Sequence, residues 1–296
     1  MSSQRPTVTD THARTHSHTA SDSAEKPAPI VVLGATGKTG RRVVEALARK
    51  GVPTRAVARS TTPLRFAWNE RATWSPVLTG AAAVYLVEPD EEQVPLAEFV
   101  AQAVEHGVRR LVLLSARSRD AVNLAMKEPA ESAVRASGTA WTILRPAWFN
   151  QNFTDLPLFA VPLEHSGELR LPTGEGREPF IDIRDIADVA AEALTTDGHA
   201  GRTYELTGPD DLTFGEALAQ YARAVGRDLR YVPVSEAEYA ADYTAAGAPT
   251  EEVELVNSLF RVIREGGGAG VTDHVREVLG RGPRPFAAWL ETPPES

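Results

Sequence analysis

The chain of 296 residues contains no cysteine and only two methionines. Disulfides, thiolate zinc sites, iron–sulfur clusters and cysteine nucleophiles are therefore excluded, and a metal site would have to be built from His and carboxylates alone. Basic residues are in deficit as well: 31 Lys and Arg against 40 Asp and Glu give a formal net charge of -9. A phosphate-backbone partner needs a basic surface, so no nucleic-acid partner is expected. No apolar run is long enough for a membrane span or a signal-peptide core, which predicts a cytoplasmic protein with no membrane partner. What remains is an ordinary globular composition, 42% hydrophobic and 24% charged. That is enough for one large core, or for a domain with an appendage.

Residues 1–28 are rich in Ser, Thr and His and are expected to form a disordered tail. His12, His16 and His18 lie in it without a packed scaffold to fix ligand geometry, so no metal site is expected there.

Order is expected from Pro29. Ile30-Val31-Val32-Leu33 is wholly apolar and shows no alternation, as in a strand buried on both faces of a parallel sheet. Val43, Val44, Leu47 and Ala48 then fall at helical spacing between Lys38 and Lys50, and Gly51 supplies the stop. Residues 53–58, 82–87, 111–114 and 141–144 read as further strands, with a helix over 93–106 and a helical stretch before 141. Strands alternating with helices predict an α/β fold with a doubly wound parallel sheet. Beyond Arg145 the rhythm breaks into prolines and aromatics over 146–180, and 235–281 is mostly helical. The expected organisation is a sheet domain over 29–150 with returning elements at about 179–208, and a smaller, mostly helical cap from 151–178 and 209–296.

The first strand runs directly into Gly34-Ala35-Thr36-Gly37-Lys38-Thr39-Gly40 and a helix. Strand, glycine turn and helix in that order bring a pyrophosphate against free N–H groups at the positive end of the helix dipole, as in a dinucleotide-binding Rossmann domain. A nucleotide phosphate-loop reading fails, because Lys38-Thr39 sits between the glycines rather than after the last one. The second strand ends in Arg59-Ser60 with no acid at the turn. An acid there would accept from a free ribose hydroxyl, whereas an arginine pairs with a 2′-phosphate, so the expected cofactor is NADP. Arg59 is the expected clamp, with Ser60 as a further donor and Lys38 as a second cation.

The chain resembles the NmrA-like atypical short-chain dehydrogenases from about residue 29 to 290. The resemblance is carried by GATGKTG at 34–40, FAWNERATW at 66–74, AVYLVEP at 83–89, SGTAWTILRPAWFNQNF at 137–153 and PFIDIRDIADVAAEAL at 179–194. It looks closest to the branch with fungal ergot-alkaloid iminium reductases and actinobacterial secondary-metabolite reductases. The resemblance implies NADPH lying along the strand ends, where Thr36, Thr39, Val87, Ser115, Lys127 and Pro146 would join the contacts already named. It also implies a small C-terminal substrate domain. Related enzymes carry a Tyr-x-x-x-Lys pair followed four residues later by Glu; matching Glu131 to that Glu puts Lys127 at the lysine and Asn123 at the tyrosine. The catalytic tyrosine is thus absent. Lys127 reads equally as a ribose contact or as an exposed residue at a helix start near Pro129, in which case Asn123 and Lys127 need not share a face. Ser115 reads as a cofactor or structural residue, with Ala116 at the usual serine position.

Carbonyl reduction needs a hydride and a proton for the developing oxyanion. Without the tyrosine, three routes are open: an iminium acceptor that needs no acid, a water or another side chain, or a phenol on the substrate itself. The last suits a ketoreductase of aromatic polyketides in antibiotic biosynthesis. The alternatives are an iminium or quinone reductase and, in a different class, an NADP-binding redox sensor without turnover. Substrate contacts are expected from Trp148, Phe149, Asn150, Asn152 and Phe153, which combine aromatic surface with amide donors. Tyr239, Tyr243 and Phe260 could face the same pocket, but packing is the favoured reading for them. Asp182, Arg184, Asp185 and Asp188 read as a helix start. His106, His165, His199 and His274 have no ligand spacing, and no serine sits in a nucleophile elbow, so a hydrolase has no support.

Overall fold

The computed structural model describes residues 1–2, 27–61, 63–88, 94–117 and 121–290, with the backbone alone over 121–126. The expected tail, except for its ends, lies outside the described residues, and so do His12, His16 and His18. In chain order the first half runs β1 (Ile30–Leu33), α1 (Lys38–Arg49), β2 (Thr54–Val57), α2 (Trp74–Leu78), β3 (Ala83–Val87), α3 (Leu96–Glu105), β4 (Arg110–Leu114), α4 (Ala121–Ala136) and β5 (Ala140–Pro146). The second half runs α5 (Asn152–Asp155), α6 (Pro157–His165), β6 (Glu168–Leu171), β7 (Arg177–Glu178), α7 (Ile183–Thr195), β8 (Arg202–Leu206), β9 (Leu212–Thr213), α8 (Phe214–Val225), β10 (Arg230–Pro233), α9 (Glu236–Ala245), α10 (Thr250–Arg264) and α11 (His274–Leu279).

Six strands form one parallel sheet in the order β2-β1-β3-β4-β5-β8. Alternate residues of each apolar strand feed two separate cores. Val32, Tyr85, Val112 and Leu144 face α1 and α7, while Val31, Leu86, Leu113 and Ile143 face α2, α3 and α4. The doubly wound architecture predicted from the alternation of elements is the one observed. The strand order reverses between β1 and β3, and ligands of open parallel sheets bind at such a crevice, beyond the carboxyl ends of the strands.

A third, largely aromatic core belongs to the cap, where Phe153, Phe159, Phe180, Phe214 and Phe260 are all buried. The cap is not helical throughout. A parallel pair, β6 with β10, and a short antiparallel pair, β7 with β9, brace it. Residues 274–279 fall within the expected cap but pack elsewhere: Val275 of α11 joins the core between α7 and the sheet. α4 departs further from expectation, since it begins at Ala121 and carries Pro129 in its interior. Burial of Ala130 and Val134 and the bonds made by Glu131 hold the helix through a proline that costs about 3 kcal/mol in an isolated one. Asn123 and Lys127 therefore lie one turn apart on the same helix; the Asn123 side chain lies outside the described residues.

Candidate active site

A cavity of about 1090 Å3 opens over the carboxyl ends of β1 to β5 and continues beneath the cap. Its floor begins at the glycine turn. Gly34 has φ +62, and a Cβ there would lie 2.8 Å from Val87 Cγ1. Gly40 does not line the cavity; it lets α1 close onto the turn, for a Cβ at this position would sit 2.2 Å from the Gly34 carbonyl oxygen. Gly37 precedes α1 with no side-chain cap, so the first-turn N–H groups lack an intrahelical acceptor where Gly37, Lys38 and Thr39 line the cavity. A cradle of that shape, with the positive end of a 12-residue helix behind it, fits a pyrophosphate.

Thr36, Lys38 and Thr39 line the same end, and so do Arg59 and Ser60 beyond β2. Lys38 and Arg59 have no ion-pair partner among the described residues, so two cations stand available beside the cradle. Further along, Val87, Ser115, Lys127 and Pro146 bring the strand ends and α4 to the wall. The serine is already committed. Ser115 Oγ donates to Glu131 Oε1 at 2.6 Å, and Arg145 Nε donates to the same oxygen at 2.8 Å. Burial works to raise the Glu131 carboxyl, but the hydrogen bonds from Arg145 and Ser115 outweigh it and hold the group below the usual carboxylate range.

At the cap end, Trp148, Phe149 and Asn152 line the cavity together with Leu259, Val262 and Ile263 of α10. Trp148 stacks on Phe159 at 5.6 Å and on Phe260 at 5.9 Å, which fixes its ring. Two of the expected substrate contacts are not at the wall. Asn150 is fully buried, with its N–H donating to Ile181 O, and Phe153 belongs to the aromatic core. Tyr239 and Phe260 pack edge to face at 5.3 Å within that core, and the Tyr243 hydroxyl donates to Glu252. Asp182 caps α7 by accepting from Arg184 N at 2.8 Å.

Several wall residues were not visible in the sequence pattern. Glu88 follows β3 and is partly buried; burial pushes its carboxyl above the usual range, against the pull of the Lys127 charge. Arg117 follows β4 and donates to Gly268 O at 2.8 Å, Ala269 O at 3.2 Å and Gly270 O at 2.8 Å. Glu178, buried under the cap, accepts from Trp148 N at 3.2 Å. Gly267 and Gly268 complete the wall without side chains, and a Cβ on Gly268 would lie 2.2 Å from Glu178 Oε2. The run Glu265-Gly266-Gly267-Gly268-Ala269-Gly270 was the available signal for this second glycine segment.

The chain is 35% identical over 281 residues to a (4-alkanoyl-5-oxo-2,5-dihydrofuran-3-yl)methyl phosphate reductase of Streptomyces griseus, covering 88% of this chain and 96% of that protein. It is 32% identical over 285 residues to an NAD(P)H azoreductase of Xenophilus azovorans, with the same coverage, and 30% identical over 276 residues to an agroclavine dehydrogenase of Claviceps fusiformis. Among solved structures, an NADPH-dependent quinone oxidoreductase of Escherichia coli in complex with NADPH superimposes with a TM-score of 0.75 at 24% identity, over 88% of this chain and 98% of that one. A triphenylmethane reductase of Citrobacter gives 0.75 at 23% identity, over 89% and 98%. Residues 26–278 match the model of the NmrA-like family, and this chain belongs to that family.

Proposed function

We propose that this protein is an NADPH-dependent oxidoreductase that reduces a carbonyl of a flat, aromatic secondary metabolite, an aromatic polyketide of antibiotic biosynthesis being the reading we favour. The observation that carries it is one continuous cavity joining the glycine turn and the Arg59-Ser60 corner to a wall of Trp148, Phe149 and the apolar face of α10. When bound, NADPH supplies the hydride. The turn from Gly34 to Gly40 would hold its pyrophosphate, Lys38, Arg59 and Ser60 its 2′-phosphate, and Lys127 its nicotinamide ribose. Val87 and Pro146 would flank it, and Ser115 would shape the wall while bonded to Glu131. Trp148, Phe149 and Asn152 would orient the acceptor, so that positioning supplies much of the rate.

The named relatives are reductases or dehydrogenases covered over nearly their whole length, and an aromatic-lined cavity over the strand ends favours turnover over sensing. Among the described residues the wall holds no tyrosine or histidine. That favours, as a second reading, an iminium or quinone acceptor, which makes less demand on a protein acid. For a ketone, the proton comes from a phenol beside the carbonyl or from a cavity side chain.

The test is cofactor binding followed by turnover. NADPH should bind at least tenfold tighter than NADH by fluorescence titration, and NADPH absorbance should fall with a member of a panel of aryl ketones, quinones and cyclic iminium ions. Tight binding with no turnover across the whole panel would move the protein to the sensor class.

A further inference from the structure

The ionisable groups on the cavity wall sort themselves by their partners. Lys38 and Arg59 stand at the glycine turn, and Glu70 is paired with Arg65. The Arg117 guanidinium is spent on three carbonyls, Glu178 accepts from Trp148 N, and Ser115 donates to Glu131. Two ionisable groups remain at the strand ends, Glu88 beyond β3 and Lys127 on α4. Glu88 is next in the chain to Val87, which abuts Gly34, so it stands on the cavity wall beside the glycine turn.

We propose that protonated Glu88 donates the proton taken up by the substrate oxygen, with Lys127 as its neighbouring cation, an acid and a lysine replacing the absent tyrosine and lysine. The proposal rests on the reductase reading above. In the balanced step the carbonyl carbon gains a hydride from NADPH, which leaves as NADP+; the C=O π pair moves onto oxygen, and that oxygen takes the Glu88 proton. The carbonyl is reduced to an alcohol, and the Glu88 carboxylate regains a proton from solvent. Burial favours the neutral carboxyl and thereby keeps the proton in place at higher pH than for an exposed acid, while Lys127 limits the rise and stabilises the carboxylate left behind.

Wild type, Glu88→Gln and Glu88→Asp should bind NADPH within about twofold of one another. With o-anisaldehyde, which has no phenol, kcat/KM should fall about 100-fold or more in Glu88→Gln and recover in part in Glu88→Asp. Salicylaldehyde separates the sources: if wild type and Glu88→Gln reduce it equally and neither reduces o-anisaldehyde, the substrate phenol is the donor and the proposal is overturned. Carbon NMR of the cofactor-free protein gives a readout apart from turnover. The carboxyl signal lost in Glu88→Gln should titrate above the ordinary carboxylate range and move higher still in Lys127→Met. An ordinary midpoint overturns the proposal even if neither aldehyde is reduced. Failure of wild type to bind NADPH overturns the reductase reading and this proposal together, whereas NADPH binding with Glu88→Gln at wild-type turnover overturns this proposal alone.

Discussion

Arg117 Nη1 donates to Gly268 O at 2.8 Å across 151 positions of sequence, tying the end of β4 to the cap loop that walls the cavity. The Arg117 side chain is 4% exposed, and its guanidinium also reaches Ala269 O, Gly270 O and, at 3.3 Å, Glu205 Oε2. Removing it strands three carbonyls and a carboxylate. Arg117→Ala should cost about 3 kcal/mol of stability in urea unfolding, since a lost bond to a charged group is worth roughly 1.5–3 kcal/mol and solvent relieves part of the loss. Arg117→Lys keeps the charge without the planar fork, so it should recover less than half. In both variants the acceptor KM should rise more than tenfold while NADPH affinity stays within about threefold, because the clamp touches the cap and not the glycine turn.

Arg59 sits exposed at the corner beyond β2, next to Ser60. An arginine facing a 2′-phosphate across partly solvated space is worth roughly 1–3 kcal/mol. Arg59→Ala should therefore weaken NADPH about 10- to 100-fold and leave NADH nearly unchanged, read as dissociation constants by fluorescence. Equal losses for both cofactors would place Arg59 away from the phosphate.

Gly40→Ala sets two effects against each other inside α1. Alanine gains roughly 1 kcal/mol over glycine in a helix interior. Its Cβ, however, would lie 2.2 Å from Gly34 O and 2.7 Å from Gly34 C, and backbone cannot swing aside as a side chain does. Overpacking of this kind costs roughly 1–3 kcal/mol, so the variant should be less stable by thermal unfolding, and NADPH affinity should drop at least tenfold as the turn is pushed open.

The parts of this protein that were legible in the sequence are those written in short-range pattern. Ile30 to Leu33 had to be a strand with both faces covered, and the glycines after it had to turn into a helix. The alternation of strands and helices then required a parallel sheet. The place of Arg59 on the cavity wall was legible because it stands at one corner of that fold. Arg117, Glu178 and Glu88 were not, since their partners or cavity neighbours come from segments far away in the chain, and spacing carries no record of such contacts. The run from Trp148 to Phe153 was only half legible. Its composition suited a pocket, but Asn150 is buried with its N–H bonded to Ile181 O and Phe153 lies in the aromatic core, so that only Trp148, Phe149 and Asn152 face the cavity. At Pro129 a sound local rule was overridden by packing, and the helix starts eight residues earlier than the proline suggests.

Ser115 follows β4 one position before the usual place of a catalytic serine, and its hydroxyl is spent on Glu131 at 2.6 Å. Ser115→Ala should cost about 1–2 kcal/mol of stability, the value of one charge-assisted hydrogen bond in a buried network, and leave kcat within about threefold. The pH dependence follows from the direction of the Glu131 shift. Its folded carboxyl lies below the ordinary 4.5, so its stabilisation is present above that value and fades as pH falls through the folded one. Loss of the serine lifts the folded value back toward 4.5 and shrinks that contribution. The acid-unfolding midpoint of Ser115→Ala should accordingly move to higher pH.

Glu236 gives the cap its own acid sensitivity. It opens α9 and receives Arg261 Nε at 2.9 Å, with Arg264 as a second partner, so that one carboxylate joins α9 to α10. Hydrogen bonds from Arg261 and then Arg264 hold its carboxyl down to about 2, from the ordinary 4.5. Because the folded value is the lower one, the carboxylate stabilises the α9–α10 pairing fully above 4.5 and progressively less as pH falls towards 2. The pair lies near solvent, so the effect on global unfolding is small; amide exchange in α9 and α10 is the sensitive measure. Wild-type amides there should lose protection between pH 4.5 and 2. Glu236→Gln should be less protected than wild type at neutral pH and converge with it at the acid end. Parallel curves for the two proteins across that range would mean that the arginines, and not the charge on Glu236, hold the two helices together.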